Sequence, residues 1–201
     1  MLVYWLRHGE TAWNRLGKIQ GCADIPLDDE GRRQARETAA AISGVAFDRA
    51  FSSPLSRARE TAHIVLQGRG PELQVLDDLH EVNFGSYDGR DMRRARSDPA
   101  DPLYLWFHQP ASFRPSPGGE SLEQAAKRIR GVLERSILPL EGSAGRVFVA
   151  AHGSVTRILL TLLMGRPASR FQELSMKNCA LSVLEVCGGR VRIVDWGRIF
   201  Y

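Results

Sequence analysis

Cysteine is scarce in this chain and poorly spaced for chemistry. Cys22, Cys179 and Cys187 form neither a metal-type pair nor an even set, which argues against a zinc site and a disulfide framework and points to a reducing, cytoplasmic setting. Long apolar runs are missing too. Nothing approaches the roughly 20 residues of a membrane span, and the stretch ahead of Arg7 is too short for a signal-peptide core, so a soluble protein without a membrane partner is expected. Charge of one sign does not dominate: 27 Lys and Arg against 23 Asp and Glu leave a net +4, and the basic residues are scattered through the chain. No nucleic-acid partner is expected, and an anionic small molecule accounts for the surplus as well. Repeats, low-complexity tracts and a Gly-x-x-x-x-Gly-Lys-Ser/Thr loop are also absent. What remains is a chain of 201 residues, long enough for one well-filled core, read as a single domain over 1–201.

An apolar run over 2–6, including Val3, Tyr4 and Trp5, predicts a buried parallel strand that delivers Arg7 and His8 to its carboxyl end, where Gly9 lets the chain turn. Ligands of open α/β sheets bind beyond strand carboxyl ends, and a cation beside an imidazole suits a phosphate there; a strand cap plus a surface ion pair fits the same tripeptide. Residues 11–26 carry no period and hold Gly17, Gly21 and Pro26, so they read as a long loop over the crevice. Asp28, Asp29 and Glu30 then precede Ala35, Ala39 and Ile42 at helical spacing, with Gly44 as the stop. A strand over 47–51 leads through Ser52-Ser53-Pro54 into a helix over 55–66 with Ala58, Ala62 and Val65 or Leu66 on its apolar face. Arg57 thus falls in a helix first turn, whose amides and dipole favour an anion.

A third strand over 73–76 runs into Leu79-His80-Glu81-Val82-Asn83-Phe84-Gly85, again at a strand exit. From 88 to 119 the pattern breaks. Scattered prolines mixed with Tyr104, Trp106, Phe107 and Phe113 predict an ordered, cap-like insertion with some helix, its aromatics mainly core. A helix over 120–138, an apolar strand over 146–151 ending in His152-Gly153-Ser154, and a helix over 155–164 closed by Gly165 and Pro167 follow. A hairpin over 180–186 and 191–196, turned by Gly188-Gly189, ends the chain. This alternation predicts an α/β fold.

The strand exits would gather Arg7, His8, Arg57, Glu81 and His152 around one hollow. Leu6-Arg7-His8-Gly9-Glu10-Thr11-Ala12-Trp13-Asn14 resembles the signature of the histidine phosphatase superfamily, the phosphoglycerate mutase-like enzymes. Ser52 to Ala62, Glu81 to Gly85, Pro117-Gly118-Gly119-Glu120-Ser121 and Ala151-His152-Gly153 resemble that family's later motifs, in order, across nearly the whole chain. The resemblance implies a three-layer sandwich with a mostly parallel central sheet and helices on both faces. It also implies that His8 becomes phosphorylated, that Arg7, Arg57 and His152 bind phosphoryl oxygens, and that Glu81 gives the proton. Asn14, the backbone around Gly21, and Ser154 match positions that touch the phosphate. The chemistry agrees: flanking cations keep an imidazole neutral and nucleophilic, and guanidinium forks meet phosphoryl oxygens without a metal or other cofactor. No cysteine-centred phosphatase loop and no dense aspartate cluster competes with this route.

Within the family, the segment from Glu81 to Arg90 and the short insertion resemble phosphatases, and the stretch 43–66 with Trp106 resembles α-ribazole phosphatases. The expected reaction is metal-independent hydrolysis of a small phosphorylated metabolite, α-ribazole 5'-phosphate being one candidate. A cofactor-dependent phosphoglycerate mutase is the alternative, with Arg90, Arg93, Arg94 and Arg96 available to grip a carboxylate. An inactive phospho-ligand-binding module is the alternative of another class, although every residue of the catalytic set is present. Asn83 and Ser86-Tyr87 depart from the family's frequent residues, which bears on the substrate. His63, His80 and His108 match no motif and are expected in core or surface roles, and a homodimer stays open.

Overall fold

The computed structural model describes residues 1–68 and 70–201. Its strands are β1 (Leu2–Arg7), β2 (Arg49–Ser52), β3 (Leu73–Val75), β4 (Arg146–Ala151), β5 (Leu181–Cys187) and β6 (Arg190–Arg198), joined in one six-stranded sheet of order β3-β2-β4-β1-β5-β6. From β3 to β1 the pairings are parallel; β5 and β6 add an antiparallel hairpin. The helices are α1 (Ala12–Arg15), α2 (Asp29–Ala41), α3 (Ser56–Leu66), α4 (Met92–Ser97), α5 (Tyr104–His108), α6 (Leu122–Val132) and α7 (Gly153–Leu163). None is long and apolar enough to cross a membrane, among the described residues.

Period-two alternation splits the central strands between two cores. Val3 and Trp5 of β1 join Val147, Val149 and Ala151 of β4 on one face, under Ile129 and Val132 of α6 and Val155, Ile158 and Leu159 of α7. Leu6, Phe148 and Ala150 face the other way, against Ala35 of α2 and Ala58, Ala62 and Val65 of α3. The sheet is therefore the middle of three layers, which is why its central parallel strands, β1 and β4, are mostly apolar instead of alternating with polar residues. The one polar atom of the Trp5 side chain is satisfied: Nε1 donates to Thr156 Oγ1 at 3.0 Å.

Several boundaries move. The second strand begins at Arg49, because Phe47 packs edge-on against Tyr4 and Phe148 at 5.2 and 5.4 Å before pairing starts. A 3-10 turn, Asp77–Leu79, separates β3 from Glu81, so a turn and not a strand end delivers that carboxylate. The predicted loop over 11–26 opens with α1, whose Thr11 and Asn14 form a capping box. The long sixth helix gives way after Val132 to a wider π turn, Leu133–Ile137, and then to a tighter 3-10 turn, Leu138–Leu140, where Pro139 lacks the N–H that an α-helical ladder would need. The seventh starts at Gly153, two residues early, which makes His152 its N-cap. Gly165 is its stop, at φ +71°; Gly44 is not α2's, because Ile42 already caps that helix. The hairpin turn has φ +61° and +70° at Gly188 and Gly189, a type I′ geometry, and the Glu141 carboxylate accepts both N–H groups. In the insertion, Trp106 sits between Phe84, Phe113 and Phe171 at ring separations of 5.0, 5.2 and 4.9 Å, tying it to the core.

The turn after β1 meets the start of α2 backbone to backbone. A Cβ on Gly31 would lie 2.1 Å from the Glu10 carbonyl oxygen, and one on Gly9 would lie 2.4 Å from that of Gly31. Gly31→Ala should accordingly cost about 1–3 kcal/mol through overpacking, with no rotamer to relieve it. Gly44→Ala, with open space around its Cβ, should stay within about 0.5 kcal/mol. Urea midpoints of the two variants check this; equal midpoints would contradict it.

Candidate active site

Strand register brings the two histidines together. Arg7 of β1 pairs with Ala151 of β4, so His8 and His152 leave the sheet side by side, with ring centroids 5.2 Å apart. His8 is buried and its hydrogen bonds fix its tautomer. Nδ1 lies 2.7 Å from the Gly9 carbonyl, which can only accept, and Arg57 Nε, which can only donate, lies 3.3 Å from Nε2. The proton is on Nδ1 and the lone pair on Nε2. Burial first, then Arg57 and Arg7, hold the imidazole well below its ordinary pKa, and the Gly9 carbonyl opposes them.

Arg57 enters from the first turn of α3 and is fully buried. Its Nη1 and Nη2 donate to the carbonyls of Ala23 and Gly21, each at 2.8 Å. Burial lowers its pKa to about 10, with Glu81 and Asp24 opposing. Arg7 donates through Nη1 to the Met176 carbonyl. Its Nε is buried without a hydrogen-bond partner among the described residues, packed on Gly153. His152 reaches Ser53 Oγ through Nε2 at 2.6 Å, while its buried Nδ1 has no partner among the described residues. Burial, then Arg57, His8 and Arg7, hold it too well below the ordinary value.

Glu81 lies at the amino end of α7. Its carboxylate accepts the N–H groups of Ser154 and Val155 at 2.9 and 3.1 Å and of Val82 at 2.9 Å. Three donors thus fix the carboxyl beside His8 on the wall of a cavity of about 470 Å³. Arg7, His8 and Ser154 share that cavity with Asn14, and the insertion supplies Met92, Arg96 and Phe107 to it. Arg57 and His152 back His8 without lining the space. Among the described residues, no group of three His, Cys, Asp or Glu side chains is placed to hold a metal ion.

The remaining sequence-predicted residues divide. Asn14 lines the cavity, its Oδ1 accepting from the Thr11 N–H and from Asn178 Nδ2. Gly21 does not face it: its N–H donates to Asp88 Oδ1 and its carbonyl holds Arg57. A side chain there would strike Asp88 and the Val82 carbonyl. Of the insertion's arginines only Arg96 reaches the cavity, while Arg90, Arg93 and Arg94 pair with Asp101, Asp91 and Asp98. Trp106 and His108 line the space as well, although His108 was expected in a core or surface role.

The parts played by three further residues escaped sequence reasoning. Arg157 is half-buried in the wall, with Nη1 on Gln172 Oε1 at 2.9 Å, its guanidinium over the Phe171 ring at 5.0 Å, and its pKa lowered by desolvation to about 10. Its signal was there: a lone cation in the apolar run of α7, one helical turn beyond Gly153. Asp88 holds the Gly21 and Ala23 amides, and Asn178 bonds the His8 and Gly9 carbonyls. Both act through long-range contacts that no local pattern marks.

Two imidazoles buried neutral make folding pH-dependent with a definite sign. Their folded pKa values lie below the unfolded value near 6.5, so the unfolded chain takes up protons first and stability falls as pH drops below about 6.5. Urea midpoints should fall between pH 6.5 and 5, and less steeply in His152→Gln. A midpoint that stays flat across that window would contradict neutral burial.

The chain has counterparts among known proteins. The chain is 35% identical over 199 residues to the 2,3-bisphosphoglycerate-dependent phosphoglycerate mutase of Parvibaculum lavamentivorans, covering 95% of this chain and 94% of that one. It is 31% identical over 194 residues to the uncharacterized phosphatase PhoE of Bacillus subtilis, with 96% and 93% covered. The crystal structure of the α-ribazole phosphatase of Shigella flexneri superposes with a TM-score of 0.87 at 25% identity, over 98% and 96% of the two chains. The histidine phosphatase superfamily (branch 1) profile matches residues 3–199, and the chain belongs to that family of enzymes.

Proposed function

We propose that this enzyme is a metal-independent phosphomonoester hydrolase, working as one domain with its 88–119 segment as a cap, that transfers a phosphoryl group from a small phosphorylated metabolite to His8 and then to water. The observation that carries this reading is the tautomer of His8. With Nδ1–H held on the Gly9 carbonyl, the lone pair of Nε2 is the nucleophile at the cavity floor. Nε2 attacks phosphorus and the P–O bond to the alcohol breaks. Glu81, a carboxylate on the same wall before substrate binds, passes to the leaving oxygen the proton that a phosphate monoester monoanion brings, and then takes one from the water that attacks the phosphohistidine as the N–P bond breaks. Arg7 and Arg57 supply the positive charge for the equatorial oxygens, and His152, Asn14 and Ser154 are the neutral donors nearest to them. Gly21 contributes by holding Arg57. Glu10 and Asp88 are the other carboxylates close to the site, yet neither lines the cavity, which favours Glu81.

The phosphatase relatives support hydrolysis, and the Shigella enzyme supports α-ribazole 5'-phosphate as a substrate to test. The Parvibaculum relative favours a second reading, phosphoglycerate mutase. Release of inorganic phosphate against isomerisation of 3-phosphoglycerate in the presence of 2,3-bisphosphoglycerate separates the two.

His8→Ala should abolish turnover with the fold intact, and rapid-quench labelling should place the phosphoryl group on His8 in the native enzyme; a label on another residue would sink the mechanism. Hydrolysis should continue in excess EDTA, whereas recovery only on adding Mg²⁺ or Mn²⁺ would count against it. Glu81→Gln should slow phosphorylation by an alkyl phosphate by about 10²- to 10⁴-fold. The loss should be smaller with p-nitrophenyl phosphate, whose phenolate leaves unprotonated. Equal losses in that step for both esters would remove Glu81 as the acid.

A further inference from the structure

The Nδ1 of His152 is the one buried imidazole nitrogen with no partner among the described residues, and the hydroxyl on the other nitrogen decides what it carries. Ser53 Oγ accepts the Leu55 N–H at 3.3 Å and lies 2.6 Å from His152 Nε2. A hydroxyl has one proton to give. If His152 Nε2 carried hydrogen, Ser53 Oγ would accept from both neighbours, and its own proton would be left in a fully buried site with no acceptor among the described residues. If Ser53 donates to Nε2 instead, every polar atom of the serine side chain is satisfied, and the single proton of a neutral imidazole falls on Nδ1.

The surroundings favour the neutral ring. Arg57, Arg7, His8 and His80 are the charged and titratable groups acting on His152, and all of them oppose a further positive charge on it. A buried N–H donor with no acceptor among the described residues, on a ring 5.2 Å from the His8 imidazole, fits an anion that arrives with the substrate.

We propose that Ser53 is a positioning residue that sets His152 as its Nδ1–H tautomer, so that a neutral imidazole donates a hydrogen bond to an oxygen of the phosphoryl group on its way to His8. The proposal rests on the phosphoryl-transfer reading above. It differs from one in which His152 acts as a cation. The donor is in place before substrate binds, and the site accepts the anion without taking up a proton.

Nitrogen-15 correlation spectra of histidine-labelled enzyme at neutral pH read the tautomer without any turnover. The native spectrum should show His152 Nε2 bare and Nδ1 protonated, and inorganic phosphate should move the Nδ1 proton downfield. Ser53→Ala should shift the proton toward Nε2 and lower kcat by about 10- to 10²-fold, with KM changed less than about threefold. Ser53→Thr should keep both the native tautomer and most of kcat. An Nε2–H tautomer in the native enzyme, an unmoved Nδ1 proton on adding phosphate, or Ser53→Ala with native tautomer and native kcat would each overturn the proposal. If Ser53→Ala does not fold, the native spectrum and Ser53→Thr still decide. Should His8→Ala retain turnover while the spectra behave as expected, the phosphohistidine reading fails and the hold of Ser53 on His152 stands.

Discussion

Two guanidinium groups and two imidazoles are buried in one small volume, and most of the surrounding structure serves to make that tolerable. Removing cations from water is costly unless other groups replace the lost solvation. Carbonyl oxygens do most of this work here: Gly21 and Ala23 for Arg57, Met176 for Arg7. A carboxylate, Glu81, supplies the opposing charge. The imidazoles respond in the only way open to them and stay neutral. The neutral state of the His8 imidazole is thus a consequence of its burial first and of the positive charge packed beside it, and needs no separate base.

The carbonyls that solvate Arg57 come from the loop that follows α1, and Asp88 holds that loop by accepting the Gly21 and Ala23 amides. The insertion is anchored in turn by Trp106 among three other aromatic rings. Parts of the chain that carry no catalytic group therefore bear on the field felt at His8.

Much of this was legible in the sequence because it is local. β1, β4 and the glycine hairpin read as apolar runs with turns at their ends, and Arg7 ends β1 while His8, Arg57 and His152 stand one to five residues beyond strands, where sheet topology gathers them. What was not legible depends on partners far along the chain. Arg157 reads as a stray charge in an apolar helix until Gln172 and Phe171 fold beside it. Gly21 looked like a phosphate contact because its neighbours resemble one, and only the position of Asp88 shows its N–H turned away. His108, in the unpatterned insertion, reaches the cavity through α5, whose existence composition suggested and whose orientation it did not.

The contact of Gly9 with Gly31 has a mechanical meaning. Side chains between packed elements act as compliant spacers, able to change rotamer when one element shifts. Here no spacer exists, since the turn after β1 rests directly on the main chain of α2. A shift of that helix would press on the turn that follows His8 with no side chain between them to absorb it, so the seating of an outer-layer helix bears on where the His8 ring is held.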